Sequence, residues 1–180
     1  MPTEQELKLP VFFRELPLSI VDCSSFPNGK ENKPPQILIN NIVSNEFELE
    51  VLAGEKVQIP IQVIDNDSTG VGNGKQKITL SAYGSGVTDN LSVNGNCDSV
   101  INGSCAYLEN TTAVLDTNFS PAKYVVSGQN GLTTNFTWQT NCNQAGTNGS
   151  KDYYFYFSVQ DDNCPIPLTT AGVIKIKVLS

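Results

Sequence analysis

The chain has 180 residues, of which 39% are hydrophobic, and 11 basic against 18 acidic residues give a formal net charge of −7. This charge, with no basic run anywhere, argues against binding to nucleic acid or insertion at an anionic membrane surface. Histidine is absent, which removes the usual general base, most catalytic zinc sites and the Ser-His and Cys-His nucleophile pairs. The composition therefore predicts a globular chain that is not an enzyme.

The first 33 residues are predicted to lie outside the main domain. Residues 12–22 place alternate aliphatic side chains on one face, as the closing segment 171–180 does. We interpret 12–22 as the terminal strand of a preceding module, followed by a polar linker that ends at residue 33. The first residues are polar and charged, without a signal peptide or a long apolar run. We therefore expect a piece of a longer secreted chain, whose main domain covers 34–180.

The strands of this domain are predicted from alternation between apolar and polar positions. Residues 36–43 and 47–52 are expected to form a first strand broken by a bend, and 56–65 a second. Further strands are predicted over 75–83, 132–140, 153–160 and 171–180. The stretch 84–131 is rich in Asn and Gly and predicts short strands and long surface loops. About seven strands without a helical period indicate an all-β, immunoglobulin-like sandwich with long loop insertions.

Two of these strands alternate strictly and end on an aspartate. Their apolar positions are Val57, Ile59, Ile61 and Val63 in one, and Tyr153, Phe155, Phe157 and Val159 in the other. If the two are central strands of opposite sheets, Asp65 and Asp161 continue the inward parity at the rim of the sandwich. Carboxylates brought together there repel each other, and a cation would relieve the repulsion.

Several phrases of the chain resemble a known class of repeat. The segments 54–59 (GEKVQI), 136–138 (FTW), 153–161 (YYFYFSVQD) and 174–178 (IKIKV) look like cadherin-like and immunoglobulin-like repeats of large bacterial surface adhesins. Trp138 followed by Cys142, and then 161–165 (DDNCP), is similar to repeats of gliding-motility and type IX-secreted surface proteins of Bacteroidetes. The resemblance covers about 34–180. It implies a non-catalytic extracellular module at the cell surface, in a tandem array whose partners are adjacent repeats of the same chain.

The resemblance also implies calcium. The linker 31–35 is similar to the junction of cadherin repeats, where calcium stiffens consecutive domains, and calcium prefers six to eight oxygen ligands. The candidate ligands are Glu31, Asn32, Asp65, Asp67, Asp161 and Asp162. The alternative is that these are ordinary turn residues exposed to water.

A second candidate surface consists of aromatic residues. Tyr154 and Tyr156 face away from the core if Phe155 and Phe157 face inward, and a sugar ring can stack on such side chains. The alternative is that neighbouring loops cover them. Three function classes remain. One is an adhesin or filament module for attachment or gliding motility. The second is a carbohydrate-binding module for surface polysaccharide or host glycans, which requires Tyr154 and Tyr156, or loop aromatics such as Tyr83, Tyr107 and Tyr124, to be exposed around a groove. The third is a glycoside hydrolase with Asp65 and Asp161 as acid and base.

The five cysteines favour an oxidising, extracellular location. Cys97 and Cys105 bracket a short loop that suits a disulfide across a hairpin. Cys142 and Cys164 precede and follow a strong strand and are predicted to join neighbouring loops. Cys23 is left without a partner in this scheme, and the alternative is five reduced thiols.

Overall fold

The computed structural model describes residues 32–66, 76–84, 105–110, 112–116, 118, 123–162 and 167–180. Within them eleven strands form two sheets. The strands are β1 Gln36–Ile39, β2 Ile42–Val43, β3 Glu46–Leu52, β4 Lys56–Ile64, β5 Lys77–Gly84, β6 Tyr107–Glu109, β7 Val114–Asp116, β8 Lys123–Gln129, β9 Gly131–Gln139, β10 Ser150–Gln160 and β11 Thr169–Leu179. The five-stranded sheet has the order β2-β1-β4-β9-β6, and the six-stranded sheet has the order β3-β11-β10-β5-β8-β7.

The predicted all-β sandwich is confirmed. Strand β4 lies in the middle of the five-stranded sheet and β10 in the interior of the six-stranded one, and the apolar positions predicted for both are buried. The indole of Trp138 on β9 packs 4.9 Å from the ring of Tyr153 and 5.1 Å from that of Phe155, centroid to centroid. Strands β1, β4 and β9 facing β5, β10 and β11 correspond to the two sheets of an immunoglobulin sandwich.

The predicted first strand is in fact three strands. This is one reason why the described residues contain more strands than the seven that were predicted. Asn40 and Asn41 adopt positive φ angles of 52° and 64°, a conformation that asparagine tolerates better than most residues. They turn the chain back, so that β2 pairs antiparallel with β1. Strand β3 then crosses to the other sheet and pairs parallel with β11.

Pro60 explains where β1 ends. The Asn40 amide donates to the Pro60 carbonyl at 2.9 Å, and proline has no N–H with which to continue the ladder on that side. A proline inside a central strand is accommodated because β1 leaves β4 at this point; β1 is paired only with the residues Ile61 to Ile64.

The stretch 84–131, for which short strands were predicted without bounds, contains β6, β7 and β8. The turn from β8 to β9 depends on Gly131, whose φ is 151°. A Cβ atom there would lie 2.6 Å from the Val63 carbonyl oxygen, so only glycine fits against β4.

The two ends of the described domain lie at opposite poles of the sandwich. Gln36, at the start of β1, pairs with Ile64 at the end of β4, whereas Leu179, at the end of β11, pairs with Ser150 at the start of β10. We call these the N-terminal pole and the C-terminal pole. An eleven-residue strand such as β11 is about 35 Å long.

Among the described residues no helix has the length and hydrophobicity needed to cross a membrane.

Candidate functional site

A cluster of buried amide and carboxyl groups closes the N-terminal pole. The Asn32 side-chain amide donates to Asp161 Oδ2 at 2.9 Å, and Gln76 Nε2 donates to Asn32 Oδ1 at 3.0 Å. Asp161 Oδ1 accepts from the Leu168 backbone amide at 2.8 Å. We call Asn32, Gln76 and Asp161 the clasp, because they tie the residue that precedes the domain to the start of β5 and the end of β10.

Asp65 belongs to the same pole. Its backbone amide donates to the Asn130 carbonyl at 3.2 Å, and the Asn130 amide donates to the Gln76 carbonyl at 2.8 Å. Asp162, next to the clasp, accepts a hydrogen bond from the Lys77 backbone amide at 2.8 Å. The sequence-predicted residues Asn32, Asp65, Asp161 and Asp162 are therefore brought to one end of the sandwich.

The alternative that these are water-exposed turn residues is wrong for the two strand-end aspartates. Asp65 is 8% exposed and Asp161 3%. A buried charge requires hydrogen-bond donors around it, and Asp161 receives donors at both oxygens from Asn32 and Leu168.

The described residues do not by themselves form a calcium cage. Among them, no group of three or more His, Cys, Asp or Glu side chains is placed to hold a metal ion, and both oxygens of Asp161 accept hydrogen bonds from N–H groups. Glu31 and Asp67, the other two candidate ligands, lie outside the described residues. Calcium at this pole therefore stays a prediction.

Three tyrosines form a surface on the outer face of the six-stranded sheet. Tyr156 is 44% exposed, Tyr154 39% and Tyr83 37%. Tyr83 lies directly opposite Tyr156 in the pairing of β5 with β10, and their ring centroids are 5.6 Å apart with an interplanar angle of 25°. We call these three residues the tyrosine platform. The described residues leave Tyr154 and Tyr156 exposed, while residues 85–104, part of the long insertion that could cover them, lie outside the described residues.

Charged side chains border the platform. Lys175 lies opposite Tyr154 in the pairing of β10 with β11, and its ammonium is 3.4 Å from an Asp152 oxygen and 3.8 Å from a Glu48 oxygen. These carboxylates, Asp152 first, raise the pKa of Lys175. The next lysine along β11, Lys177, bonds Glu50 at 2.9 Å, and this hydrogen bond is the main cause that raises its pKa.

One predicted disulfide is wrong. Cys142 is a free, exposed thiol, so the predicted Cys142–Cys164 bond is not formed. Cys142 precedes β10 at the C-terminal pole, and the eleven residues of β10 extend about 35 Å before the chain reaches the segment that carries Cys164. The Cα atoms of a disulfide are only about 4.4 to 6.8 Å apart.

Cys105, by contrast, is disulfide-bonded. Its predicted partner Cys97 lies outside the described residues, as do Cys23 and Cys164. The Cys97–Cys105 pairing therefore stays a prediction, while the alternative of five reduced thiols is wrong.

Sequence reasoning missed one member of these sites, Gln76. It has the inward parity of the predicted strand 75–83, but a polar side chain at that position was not singled out as buried. Tyr83 was named as a loop aromatic, whereas it stands on β5 with the outward parity of a strand whose inward positions are Ile78, Leu80 and Ala82. Its pairing with Tyr156 depends on which strands are neighbours, and that required the fold.

No protein-family model matches the chain, and no curated protein sequence matches it either. Among solved structures, the chain is similar to a family 123 glycoside hydrolase from Clostridium perfringens, at 11% identity and a TM-score of 0.45, over 82% of this chain and 28% of that one. It is also similar to AggA, the major subunit of aggregative adherence fimbriae type I from Escherichia coli, at 13% identity and a TM-score of 0.42, over 81% of this chain and 94% of that one.

A third similar structure is the CooA pilin subunit from enterotoxigenic Escherichia coli, at 13% identity and a TM-score of 0.37, over 82% of this chain and 98% of that one. The chain thus spans 28% of the hydrolase but nearly the whole of each fimbrial subunit. At these scores none of the three carries a functional argument, and function has to be argued from the chain's own residues.

Proposed function

We propose that this chain is a non-catalytic module of a surface adhesin or filament protein, in which it spaces or presents binding sites for attachment. The observation that carries the proposal is the position of the two ends of the described domain at opposite poles of the sandwich. Modules of this geometry joined end to end add their full length to the array. The narrower interpretation, a repeat of a gliding-motility or type IX-secreted adhesin, stays a prediction from sequence resemblance.

The clasp supports this function because it fixes the direction in which the chain approaches the domain. Asn32 lies only four residues before β1 and is held by buried bonds to side chains from two other segments. A linker held in this way transmits orientation from one module to the next instead of acting as a free hinge.

The oxidised Cys105 supports a location outside the cytoplasm, since disulfides persist in oxidising compartments. The hydrolase alternative finds no support in the pair of aspartates proposed for it. Asp65 and Asp161 are buried, and both oxygens of Asp161 are already bonded to protein donors. A general acid has to reach the glycosidic oxygen of a substrate in a cleft.

Small-angle X-ray scattering of two copies of residues 24–180 joined in tandem tests the proposal. The maximum dimension should exceed that of one copy by about 35 Å or more, the length of an eleven-residue strand. Asn32→Ala in the second copy should shorten the particle by allowing the linker to bend, whereas Asn143→Ala, an exposed residue at the C-terminal pole, should not. Two copies packed side by side, with almost no gain in length, would contradict the proposal.

A further inference from the structure

The tyrosine platform is a concentrated apolar surface and not a scatter of single residues. The described residues expose seven large hydrophobic side chains, and three of them are these tyrosines. Tyr154 and Tyr156 are two residues apart on β10, hence about 7 Å apart along the strand, and Tyr83 stacks beside Tyr156 from the neighbouring strand. Contiguous exposed aromatics on a folded domain mark a binding surface more often than isolated ones do.

The rigidity of the platform also favours binding. All three tyrosines stand on strands whose opposite faces carry buried core residues, Phe155 and Phe157 on β10 and Ala82 on β5. Gly84, at the end of β5, allows the close approach, because a Cβ atom there would lie 2.5 Å from the Tyr154 carbonyl oxygen. A backbone held in this way, together with the stack of Tyr83 on Tyr156, leaves less conformational entropy to be lost when a ligand stacks on the surface.

The shape of the surface limits what it can bind. Beside Tyr154 lies an open, shallow depression of about 190 Å³, lined by Glu46, Phe47, Glu48, Tyr154, Val173 and Lys175. It is smaller than the roughly 300 to 1,000 Å³ of pockets that enclose a drug-sized ligand. A surface of this kind suits a chain of ring-shaped units that lies across the sheet, with one ring in the depression and others on the tyrosines.

Charge selects among ring-shaped ligands. The ladder beside the platform has four carboxylates, those of Glu46, Glu48, Glu50 and Asp152, against the two ammonium groups of Lys175 and Lys177. Both lysines are already paired with carboxylates. The border is therefore net negative and repels anionic ligands, while its carboxylate oxygens can accept hydrogen bonds from hydroxyl groups.

We propose that the tyrosine platform binds neutral polysaccharide, with sugar rings stacked on Tyr83, Tyr154 and Tyr156 and hydroxyl groups bonded to the carboxylates and ammonium group beside them. Aromatic faces bind the C–H side of a pyranose ring, and the polar border binds its equatorial hydroxyls. The inference deepens the proposed function by giving the module a ligand class of its own.

The test begins with isothermal titration calorimetry of the full chain against cellohexaose, laminarihexaose and mannohexaose, with hexagalacturonate as the anionic comparison. At least one neutral hexasaccharide should bind, and hexagalacturonate should not. Tyr156→Ala should weaken binding about three- to tenfold, the range for loss of an aromatic stacking contact, and Tyr83→Ala combined with Tyr156→Ala should abolish measurable binding.

Two further variants keep the test decisive. Tyr156→Phe retains the aromatic face and should bind almost as well as the wild type, even if an alanine variant proves unstable. Val114→Ser changes another exposed apolar residue of the same sheet, at its far edge, and should leave binding unchanged.

Several results would overturn the inference: no binding of any neutral hexasaccharide, a preference for hexagalacturonate, or equal binding by the wild type and the double alanine variant. Self-association of the wild type that the double variant abolishes would also overturn it and would make the platform an interface between copies of the chain. The scattering experiment on tandem copies does not depend on the tyrosines, so its outcome separates failure of sugar binding from failure of the proposed spacer function.

Discussion

Asn32→Ala is the most informative perturbation of the N-terminal pole, because it removes the residue through which the linker is attached. The substitution deletes one hydrogen bond to a charged acceptor, Asp161, and one neutral bond from Gln76. Bonds to charged groups contribute about 1.5 to 3 kcal/mol and neutral ones about 0.5 to 1.5 kcal/mol. Since Leu168 still donates to Asp161, we expect the free energy of unfolding to fall by about 2 to 4 kcal/mol.

The measurement is equilibrium unfolding in urea, followed by the fluorescence of Trp138. This is the only tryptophan of the chain, and it is fully buried between the sheets. With a denaturant slope of about 2 kcal/mol per molar, the midpoint should move down by about 1 to 2 M. Asn143→Ala, on the exposed surface, is the matched control and should stay within about 0.5 kcal/mol of the wild type.

A second substitution at the same position tests the charge in the clasp. Asn32→Asp replaces the amide donor by a carboxylate oxygen next to Asp161, so that two anionic groups face each other at the distance of the former hydrogen bond. The loss of stability at neutral pH should exceed that of Asn32→Ala and should shrink as the solution is acidified, because one proton shared between the pair restores a hydrogen bond. A loss of less than about 1 kcal/mol for Asn32→Ala, or no pH dependence for Asn32→Asp, would refute the role of the clasp.

Four further predictions follow from the core, the pole and the cysteines. Trp138→Ala should lower the free energy of unfolding by about 3 to 5 kcal/mol, the range for large aromatic truncations in a packed interior. Tyr154→Ala, on the outer face, should lower it by about 1 kcal/mol or less. Equal losses for the two variants in urea unfolding would contradict the strand register. Burial raises the pKa of Tyr153 above 10.0, so the stability that its neutral phenol contributes is complete below pH 10.0 and is lost as the pH rises further. Tyr153→Phe should therefore lose less stability than the wild type at alkaline pH. Identical pH profiles of the free energy of unfolding would argue against this role of Tyr153. Cys142→Ser should leave the melting temperature unchanged because the thiol is free, while reduction of the disulfide at Cys105 should lower it; the reverse pattern would contradict the assignment. If calcium binds at the N-terminal pole, millimolar calcium should raise the melting temperature relative to EDTA, and equal temperatures would remove calcium from the description.

The central strands were predictable because one face of each is buried over most of its length, from Val57 to Val63 in β4 and from Tyr153 to Val159 in β10. In β4 and β10 the alternation is uninterrupted, so the register, the inward side and the position of Asp65 and Asp161 at the strand ends all follow from a period of two. The first strand was not predictable in the same way. Alternation continues through β1 and β3. No period shows that the chain turns back at Asn40 and Asn41 or that it changes sheets between β2 and β3, because both depend on which partner strands are available.

The clasp and the cysteine pairing depended on contacts between distant segments, which local patterns do not encode. Asp161 was identified by its parity, but its buried partner Asn32 is 129 residues away along the chain, and Gln76, which donates to Asn32, is 44 residues from Asn32. The Cys142–Cys164 prediction treated the two flanks of β10 as neighbouring loops. An extended strand puts its two flanks at opposite poles, so this geometric constraint could have excluded the pairing from the sequence alone.

The parallel pairing of β3 with β11 has a mechanical consequence. Seven consecutive residues of β3, Glu46 to Leu52, pair with Val173 to Leu179, and the chain approaches β3 from the N-terminal pole but leaves β11 at the C-terminal pole. Tension along the long axis first loads β1 against β4. Once β1 has separated, the tension reaches β3 and pulls β3 and β11 past each other in opposite directions. The hydrogen bonds between the two strands run across the direction of pull, so they share the load at once and rupture requires several of them to fail together. An antiparallel hairpin pulled from its open end, by contrast, loses its bonds one after another.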